Sequence, residues 1–507
     1  MRLGRLMVLS VISLTGCVRV GPDFSTPHEP WIDQWKSPTV DQVSILQPQA
    51  APLRWWEIFG DSTLNGLMTI ADQNNADLKL AGLRVLQAHT QLAIAQRTQY
   101  PQFQQIGADS LYVHRQQSGG RNPQDSSSWQ HGLEFGIGWE ADFWGRFSRA
   151  VESADAAYFA NQANYQHALV LLHAQVAETY FAVRTAEARL RVAKENAAHQ
   201  KRSFEITEKS FNSGQNSELD LQQAKTQYLG TLSSLPQFED QVHRLRNALA
   251  LLIGHSPDQL PELAVNEALI PLVDHALIQD VPAQLLLRRP DIRAAELDVA
   301  AQSALVGVAK ADFYPSLALL GNIVWSSDSL GSTSNSLDFI AGPSLRWRLD
   351  RDQIRNNVRI QDVRLQQLIE VYRDKVRQSA READDAAVGL SKSLEREKIL
   401  REASSAAKRS LVLATSQYRE GYSDFQRVLD AQQALSIQQD NYLISRSNAV
   451  SNLIALHKAL GGGWHSNSPL IDQSIRDQMR SRSDWGPLLD DPTFAAPLTP
   501  QRVTTHE

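Results

Sequence analysis

From Tyr165 onwards, apolar and small residues recur in alternating steps of four and three. The series runs Tyr165, Leu169, Leu172, Val176, Thr179, Val183, Ala186, Leu190, Ala193, Ala197, then Phe204, Thr207 and Phe211, with Gln200 as its clear polar member. Moved along by 207 residues, from Phe211 to Tyr418, the same series reads Tyr372, Val376, Ser379, Ala383, Ala386, Leu390, Ser393, Glu397, Leu400, Ser404, Ala407, Leu411, Ala414 and Tyr418. Glu397 is its breach. A four-three spacing held this long is the seam of a coiled coil. It predicts long helices over 146–212 and 354–419, each about 100 Å at 1.5 Å per residue. The Ala, Ser and Thr content of the seam lets such helices approach closely.

Both long helices break at a glycine followed by small polar residues. The first break is FNSGQNSELDLQQA, Phe211–Ala224, and the second is YREGYSDFQRVLDA, Tyr418–Ala431. Gly214 and Gly421 suit the left-handed residue that ends a helix. Ser217 and Asp424 suit the cap of the next one. Return helices follow over 217–253 and 424–460. Leu232, Leu235, Val242, Leu245, Leu249 and Leu252 mark the face of the first.

Upstream of each long helix the period changes to two. Leu133, Phe135, Ile137 and Trp139 alternate with Gly132, Glu134, Gly136 and Gly138, and Phe103 to His114 is a weaker partner strand. In the second copy Leu317, Leu319, Ile323 and Trp325 start a strand, and Phe339 to Trp347 returns. Hairpins are therefore expected over 102–139 and 316–347, with strands of about ten residues, which suits a tilted membrane strand. The apolar face ends in Trp139, Trp325 and Trp347, as an interfacial girdle would, and the opposite face is glycine-rich and polar. Four strands cannot close a barrel alone, so this reading requires oligomerisation. A helix ending in Tyr-Pro precedes each hairpin, at Tyr100-Pro101 and Tyr314-Pro315.

These elements divide the chain. Residues 1–16 are expected to be a signal peptide, and 17–76 an N-terminal arm and a short helix capped by Asp61 or Ser62. Repeat 1 covers 77–255 and repeat 2 covers 290–461. Residues 256–289 link them, and 462–507 are a polar, partly disordered tail. The fold class is α+β, built by internal duplication.

Composition narrows the function. The net charge of −6 gives no basic footprint for nucleic acid. No apolar run beyond the N-terminal segment reaches membrane-helix length, which leaves a β-barrel as the way to span a bilayer. One cysteine excludes an intramolecular disulfide. It is Cys17, at the end of LTGC, after Arg2, Arg5 and a short apolar stretch. This resembles a bacterial lipobox in which Cys17 is lipidated with palmitate among its acyl chains. Val18 in place of Asp points by the same resemblance to the outer membrane. No cofactor or metal is expected. Gly461 to Trp464 lacks the Lys-Ser/Thr of a phosphate loop, and Asp350 to Gln361 has Arg355 and Gln361 where a calcium loop needs Gly and Glu. No histidine pair has zinc-ligand spacing, and no nucleophile constellation supports a hydrolase.

The sequence resembles the outer membrane factor family of TolC/NodT-type efflux channels, in its lipoprotein branch. The residues that carry the resemblance are VGPDF after Cys17, WWEIFGDSTLNGL, the two helices ending in Tyr-Pro, WEADFWGR, the paired glycine turns and ALGGGW. The resemblance implies a homotrimer with a twelve-stranded β-barrel, four strands from each chain, continued by a long α-helical coiled-coil barrel. It also implies a passive exit channel for small molecules or drugs, working with a periplasmic adaptor and an inner-membrane pump of RND or MFS type. The chain would sit in the outer membrane, lipid-anchored and in contact with membrane lipid, with a large periplasmic portion. By the same resemblance the glycine turns are periplasmic tips. Gly214, Ser217, Leu221, Gly421, Asp424 and Val428 would meet the adaptor, and Asp430, Arg427 and Asp220 would form the gate. The family's second tip carries a pair of aspartates where this chain has Arg427 and Asp430. We therefore expect Arg427 to pair with Asp430, or with Asp220 of a neighbouring helix, and latch the closed tip. A duct for type I protein secretion, or a coiled-coil lipoprotein without a pore, are the rival readings. The second leaves two identically placed hairpins unaccounted for.

Overall fold

The computed structural model describes residues 19–28, 54–115, 126–263, 270–271, 286, 288–328, 335–466 and 468–496. Cys17 and most of the link between the repeats lie outside these. The chain forms two compact units. The first comprises residues 1–28, 85–162 and 294–373, and the second 29–84, 163–293 and 374–507.

The first unit is built on strands β1 (Phe103–Arg115), β2 (Ser126–Glu140), β3 (Ser316–Ser327) and β4 (Asn335–Arg346). They form one antiparallel sheet in the order β1-β2-β3-β4. The central pairing, from His131 against Ser327 to Glu140 against Ala318, joins the hairpins of the two repeats. Register fixes the faces, because directly paired residues point to the same side. Ile106, Leu133, Phe135, Ile137, Trp139, Leu319, Ile323, Trp325, Leu337 and Phe339 fall on one face. Asp109, Gly132, Glu134, Gly136, Gly138, Asn322 and Asp338 fall on the other. The glycines make room on that second face. A Cβ at Gly132 would lie 2.5 Å from the Asp109 carboxylate, and one at Gly136 2.9 Å from the Phe103 ring. Among the described residues, β1 and β4 each pair on one side only.

Helix α2 (Ala76–Arg97) leads into β1, and α5 (Pro290–Ala311) leads into β3. Both helix-to-strand junctions are built alike. The Trp139 indole N–H donates to the Gln99 carbonyl at 3.2 Å, and the Trp347 indole N–H to the Phe313 carbonyl at 3.1 Å. Each acceptor precedes a Tyr-Pro pair. The N-terminal arm crosses this unit at Gly21, where an added Cβ would sit 2.4 Å from Gly307 Cα. Buried Arg149 holds the arm, donating to Asp23 at 2.6 Å and to Glu152 at 2.8 Å.

Helices α3 (Arg146–Asn212) and α6 (Arg351–Arg419) run on into the second unit, where α4 (Glu218–Leu252) and α7 (Phe425–Ala459) return. Every position of the predicted seam from Tyr165 to Phe211 and from Tyr372 to Tyr418 is buried or half-buried. The breach at Glu397 is buried too, with one carboxylate oxygen on Arg401 at 2.8 Å and the other without a partner. Leu190 is its counterpart in the first copy.

A tryptophan turn, Trp55–Phe59, and helix α1 (Ser62–Asn74) also belong to this unit. Asp61, rather than Ser62, is the cap: it accepts from the Thr63 and Leu64 amides and from the Tyr180 hydroxyl. Trp55 stacks on His457 with centroids 5.2 Å apart, and Trp56 packs on His173 at 4.4 Å. His173 bridges Asp72 and the Gly463 carbonyl, each at 2.6 Å. Arg289 pins the start of α5, holding Asp291 at 3.0 Å, Glu382 at 2.9 Å and the Ala459 carbonyl at 3.0 Å. Within the tail expected to be partly disordered, 462–507, residues 468–496 pack. Helix α8 (Gln473–Arg480) is capped by Asp472, a helical turn α9 (Pro492–Ala495) by Asp491, and Leu470, Leu489 and Phe494 are buried. Gly82 makes room for the Leu470 carbonyl, 2.3 Å from where its Cβ would stand.

Two stability predictions follow from this core. Burial pushes the His457 imidazole down to about 4. It is neutral in the fold, whereas in the unfolded chain it takes a proton near pH ~6.5. Its contribution is therefore full above about pH 6.5 and is lost as the pH falls towards about 4, a change of about 3 kcal/mol. His457→Phe should flatten the fall of the unfolding midpoint between pH 7 and pH 4.5 relative to the parent chain. Replacing a buried ionic group by a well-packed apolar one is often stabilising by about 1–4 kcal/mol. Glu397→Leu should accordingly raise the thermal midpoint, and Leu190→Glu should lower it.

Candidate functional site

The two glycine turns end α3 and α6 with the same geometry. Gly214 has φ +75° and Gly421 φ +77°, the left-handed region. The Gln215 amide donates to the Ser210 carbonyl at 2.8 Å, and the Tyr422 amide to the Gln417 carbonyl at 2.9 Å. Each bond spans the last helical turn and satisfies a carbonyl left over at the helix end. Nothing crowds a Cβ at either glycine, so backbone conformation alone selects glycine there.

Beyond the glycines the turns diverge. Ser217 caps α4 in a reciprocal box: its Oγ accepts from the Asp220 amide at 3.1 Å, and Asp220 accepts from the Ser217 amide at 3.4 Å. Asp424 has the backbone geometry of a cap but accepts no capping hydrogen bond. It faces Arg427 instead, at 3.9 Å, with both side chains about three-quarters exposed. Asp430 is exposed and accepts from Gln426 Nε2 at 2.9 Å. The expected pairing of Arg427 with Asp430 or Asp220 is thus not made within the chain. Arg427 lies one helical turn from Asp424, Gln426 occupies Asp430, and the capping box occupies Asp220.

An apolar cluster joins the two turns. Buried Ala224, Phe425, Val428 and Leu429 pack with Phe204, Leu411, Ala414 and Tyr418. Val428 is 2% exposed, so it serves this cluster rather than an external partner. Phe425, Val428 and Leu429 stand at i, i+3 and i+4, one face of α7, and that spacing identifies the buried side. The surface offered at the tips comprises Gly214, Ser217, Gly421, Asp424, half-buried Leu221, and two exposed apolar residues that the sequence reading passes over, Leu219 (65%) and Tyr422 (82%). Asn216 Nδ2 donates to the Tyr418 hydroxyl at 2.7 Å, tying the first turn to the second hairpin.

The sheet offers the second candidate surface. Trp139 and Trp347 lie at its helical end, and Trp325 lies towards the opposite end on the same apolar face. Tyr112 and Trp129 share that face, with ring centroids 5.6 Å apart, and complete an aromatic band the sequence reading leaves partial. On the polar face Asn322 donates to Glu134 at 3.0 Å, with Asp109 and Asp338 close by in register. Among the described residues no cluster of three or more His, Cys, Asp or Glu could hold a metal, and no helix is long and apolar enough to cross a membrane.

The family profile described as "Outer membrane efflux protein" matches residues 67–255 and 281–462, one segment for each repeat. The chain is 28% identical over 472 residues to the probable outer membrane lipoprotein SilC of Salmonella typhimurium, covering 91% of this chain and 99% of that one. It is 29% identical over 461 residues to the cation efflux system protein CusC of Escherichia coli, covering 89% and 97%. Among solved structures, the outer-membrane channel OprN superposes with a TM-score of 0.80 at 30% identity, covering 88% of this chain and 99% of that one.

The Asn216–Tyr418 bond yields a prediction. Tyr418→Phe removes one hydrogen bond, worth about 1 kcal/mol. It should speed amide exchange several-fold at 213–217 and leave the buried seam near Val176 and Val183 unchanged, read by hydrogen–deuterium exchange.

Proposed function

The chain belongs to the outer membrane efflux protein family: it is an outer-membrane exit channel of a tripartite efflux system, and we propose that it acts as a homotrimer gated at its glycine turns. The observation that carries the trimer is the pair of open edges, β1 and β4. A strand edge in lipid leaves backbone groups without partners, and closure is the remedy. Three copies supply twelve strands, enough to enclose a lumen. The apolar, aromatic-ended face then meets lipid and the face with Asp109, Glu134 and Asp338 meets the lumen. These carboxylates favour cationic over anionic solutes.

As a component of such a system the channel works with a periplasmic adaptor and an inner-membrane pump. We assign the pump to the RND class, in line with the resemblance to the lipoprotein branch, and lipidation to Cys17, in line with the lipoprotein name of SilC. The cargo is small solutes, in line with the naming of CusC for cation efflux. Transport is passive and the pump supplies the energy. The adaptor docks on Leu219, Tyr422 and the small residues of the turns. Asp430, exposed on the side of α7 away from the buried cluster, faces the threefold axis with Arg427 near it, and the Tyr418–Asn216 bond holds the hairpins closed.

Single-channel recording in planar bilayers tests the gate. The parent protein should show small conductance, Tyr418→Phe should raise it several-fold, and Asp430→Ala should lower its preference for cations over anions. Unchanged conductance in Tyr418→Phe with unchanged selectivity in Asp430→Ala removes the tip as the gate. A band on SDS gels that moves only after heating reports the trimer. Its absence removes the barrel.

A further inference from the structure

The start of α6 carries a charge pattern that its helix does not explain. Arg351, Arg355 and Arg359 recur at i, i+4 and i+8, forming one stripe on the first turns. Cations at a helix N-terminus oppose the helix dipole. All three are exposed. Arg355 has Asp352 at 2.6 Å, and Arg359 has the Asn356 amide oxygen at 3.3 Å. Arg351 lies over the Trp347 ring at 5.7 Å. Asp350, which precedes Arg351 in the chain, is used as the cap, accepting from the Gln353 amide at 3.2 Å.

The first repeat solves the same problem differently. There the helix start places Arg146 on Glu140 and Asp312, and Arg149 on Asp23 and Glu152. Both arginines are neutralised by the chain itself. In the second repeat Arg351 has no carboxylate partner among the described residues, and the stripe opens next to apolar surface. Leu345, Trp347 and Leu349 alternate with Arg346 and Arg348, and they are 69%, 50% and 74% exposed. Leu345 continues the apolar face of the sheet, and Trp347 is fixed at its helical end by its bond to the Phe313 carbonyl. Apolar residues thus run into cations at the boundary where hydrocarbon would give way to headgroups.

We propose that Trp347, Arg351, Arg355 and Arg359 form a docking site for the phosphate headgroup of an anionic phospholipid in the periplasmic leaflet. This rests on the reading of the apolar face as lipid-facing. The acyl chains lie along Leu345 and Leu349, and the phosphate accepts from the Arg351 guanidinium, which the indole face holds in place. Arg355 and Arg359 add attraction from the next two turns.

The test reconstitutes the full chain in nanodiscs of phosphatidylcholine with a minor fraction of phosphatidylglycerol and counts retained lipids by native mass spectrometry. The parent should enrich phosphatidylglycerol. Arg351→Gln should reduce the enrichment about fivefold and Arg351→Gln with Arg355→Gln about thirtyfold, following about 1 kcal/mol for each cation near an anionic surface. Arg409→Gln, exposed near the far end of α6, removes the same charge and should leave the enrichment unchanged. Equal retention of both lipids by the parent, or unchanged enrichment in the double variant, overturns the proposal. So does release of phosphatidylglycerol by millimolar inorganic phosphate, which would mark a free-anion site. If the double variant keeps its lipid but its heat-resistant trimer melts earlier, the arginines hold a neighbouring protomer instead. Loss of the trimer in the parent would count against the barrel itself and not against this site alone.

Discussion

The structure depends on the fact that hydrocarbon offers no partner to a backbone amide. A sheet of four strands with two open edges can sit in lipid only when those edges are closed. The proposed trimer closes them, and much else then falls into place. The strand order must be consecutive, so that each chain contributes an uninterrupted arc. The duplication must place its hairpins in register, which the long pairing of β2 with β3 achieves. Glycine on the polar face lets Phe103, Asp109 and Asn322 fill space that larger residues on β2 would take.

Duplication supplies symmetry and then spends it selectively. The junctions between helix and sheet are near copies, down to an indole bonded to the carbonyl before Tyr-Pro. The glycine turns share their backbone. Differences appear where the two copies have unlike neighbours. The first turn is sealed by its own capping box, whereas the second leaves Asp424, Arg427 and Asp430 to solvent. The seam keeps leucine at 190 and tolerates glutamate at 397. The arginines at the start of α3 are paired internally, and Arg351 at the start of α6 has no carboxylate partner among the described residues.

Much of this was legible in the sequence because it repeats. The heptad series is redundant over more than a dozen positions, so a breach at Gln200 or Glu397 does not hide it. The hairpins show through strict alternation, and the turns through glycine. The tail was illegible because its apolar residues have no period: Leu470, Leu489 and Phe494 are buried without it, and the clearest trace of packing on a distant segment is the missing Cβ at Gly82, against the Leu470 carbonyl. At the tip the turn could be read but the charge pairing could not. Arg427 had three carboxylates within plausible reach, and the choice of Asp424 depends on a helical turn against competition from Gln426 and the Ser217 box. The burial of Val428 was recoverable from the spacing of Phe425, Val428 and Leu429.

The tryptophan turn has a consequence for how the chain matures. Trp55 and Trp56 come early in the sequence, yet their partners are His173, His457 and Gly463. A chain delivered from its N-terminus cannot complete this core until nearly all of it has arrived. Contacts so distant in sequence are slow to form. The packing of Trp55 and Trp56 is therefore a late event in folding, completed only when the segment around His457 and Gly463 is in place.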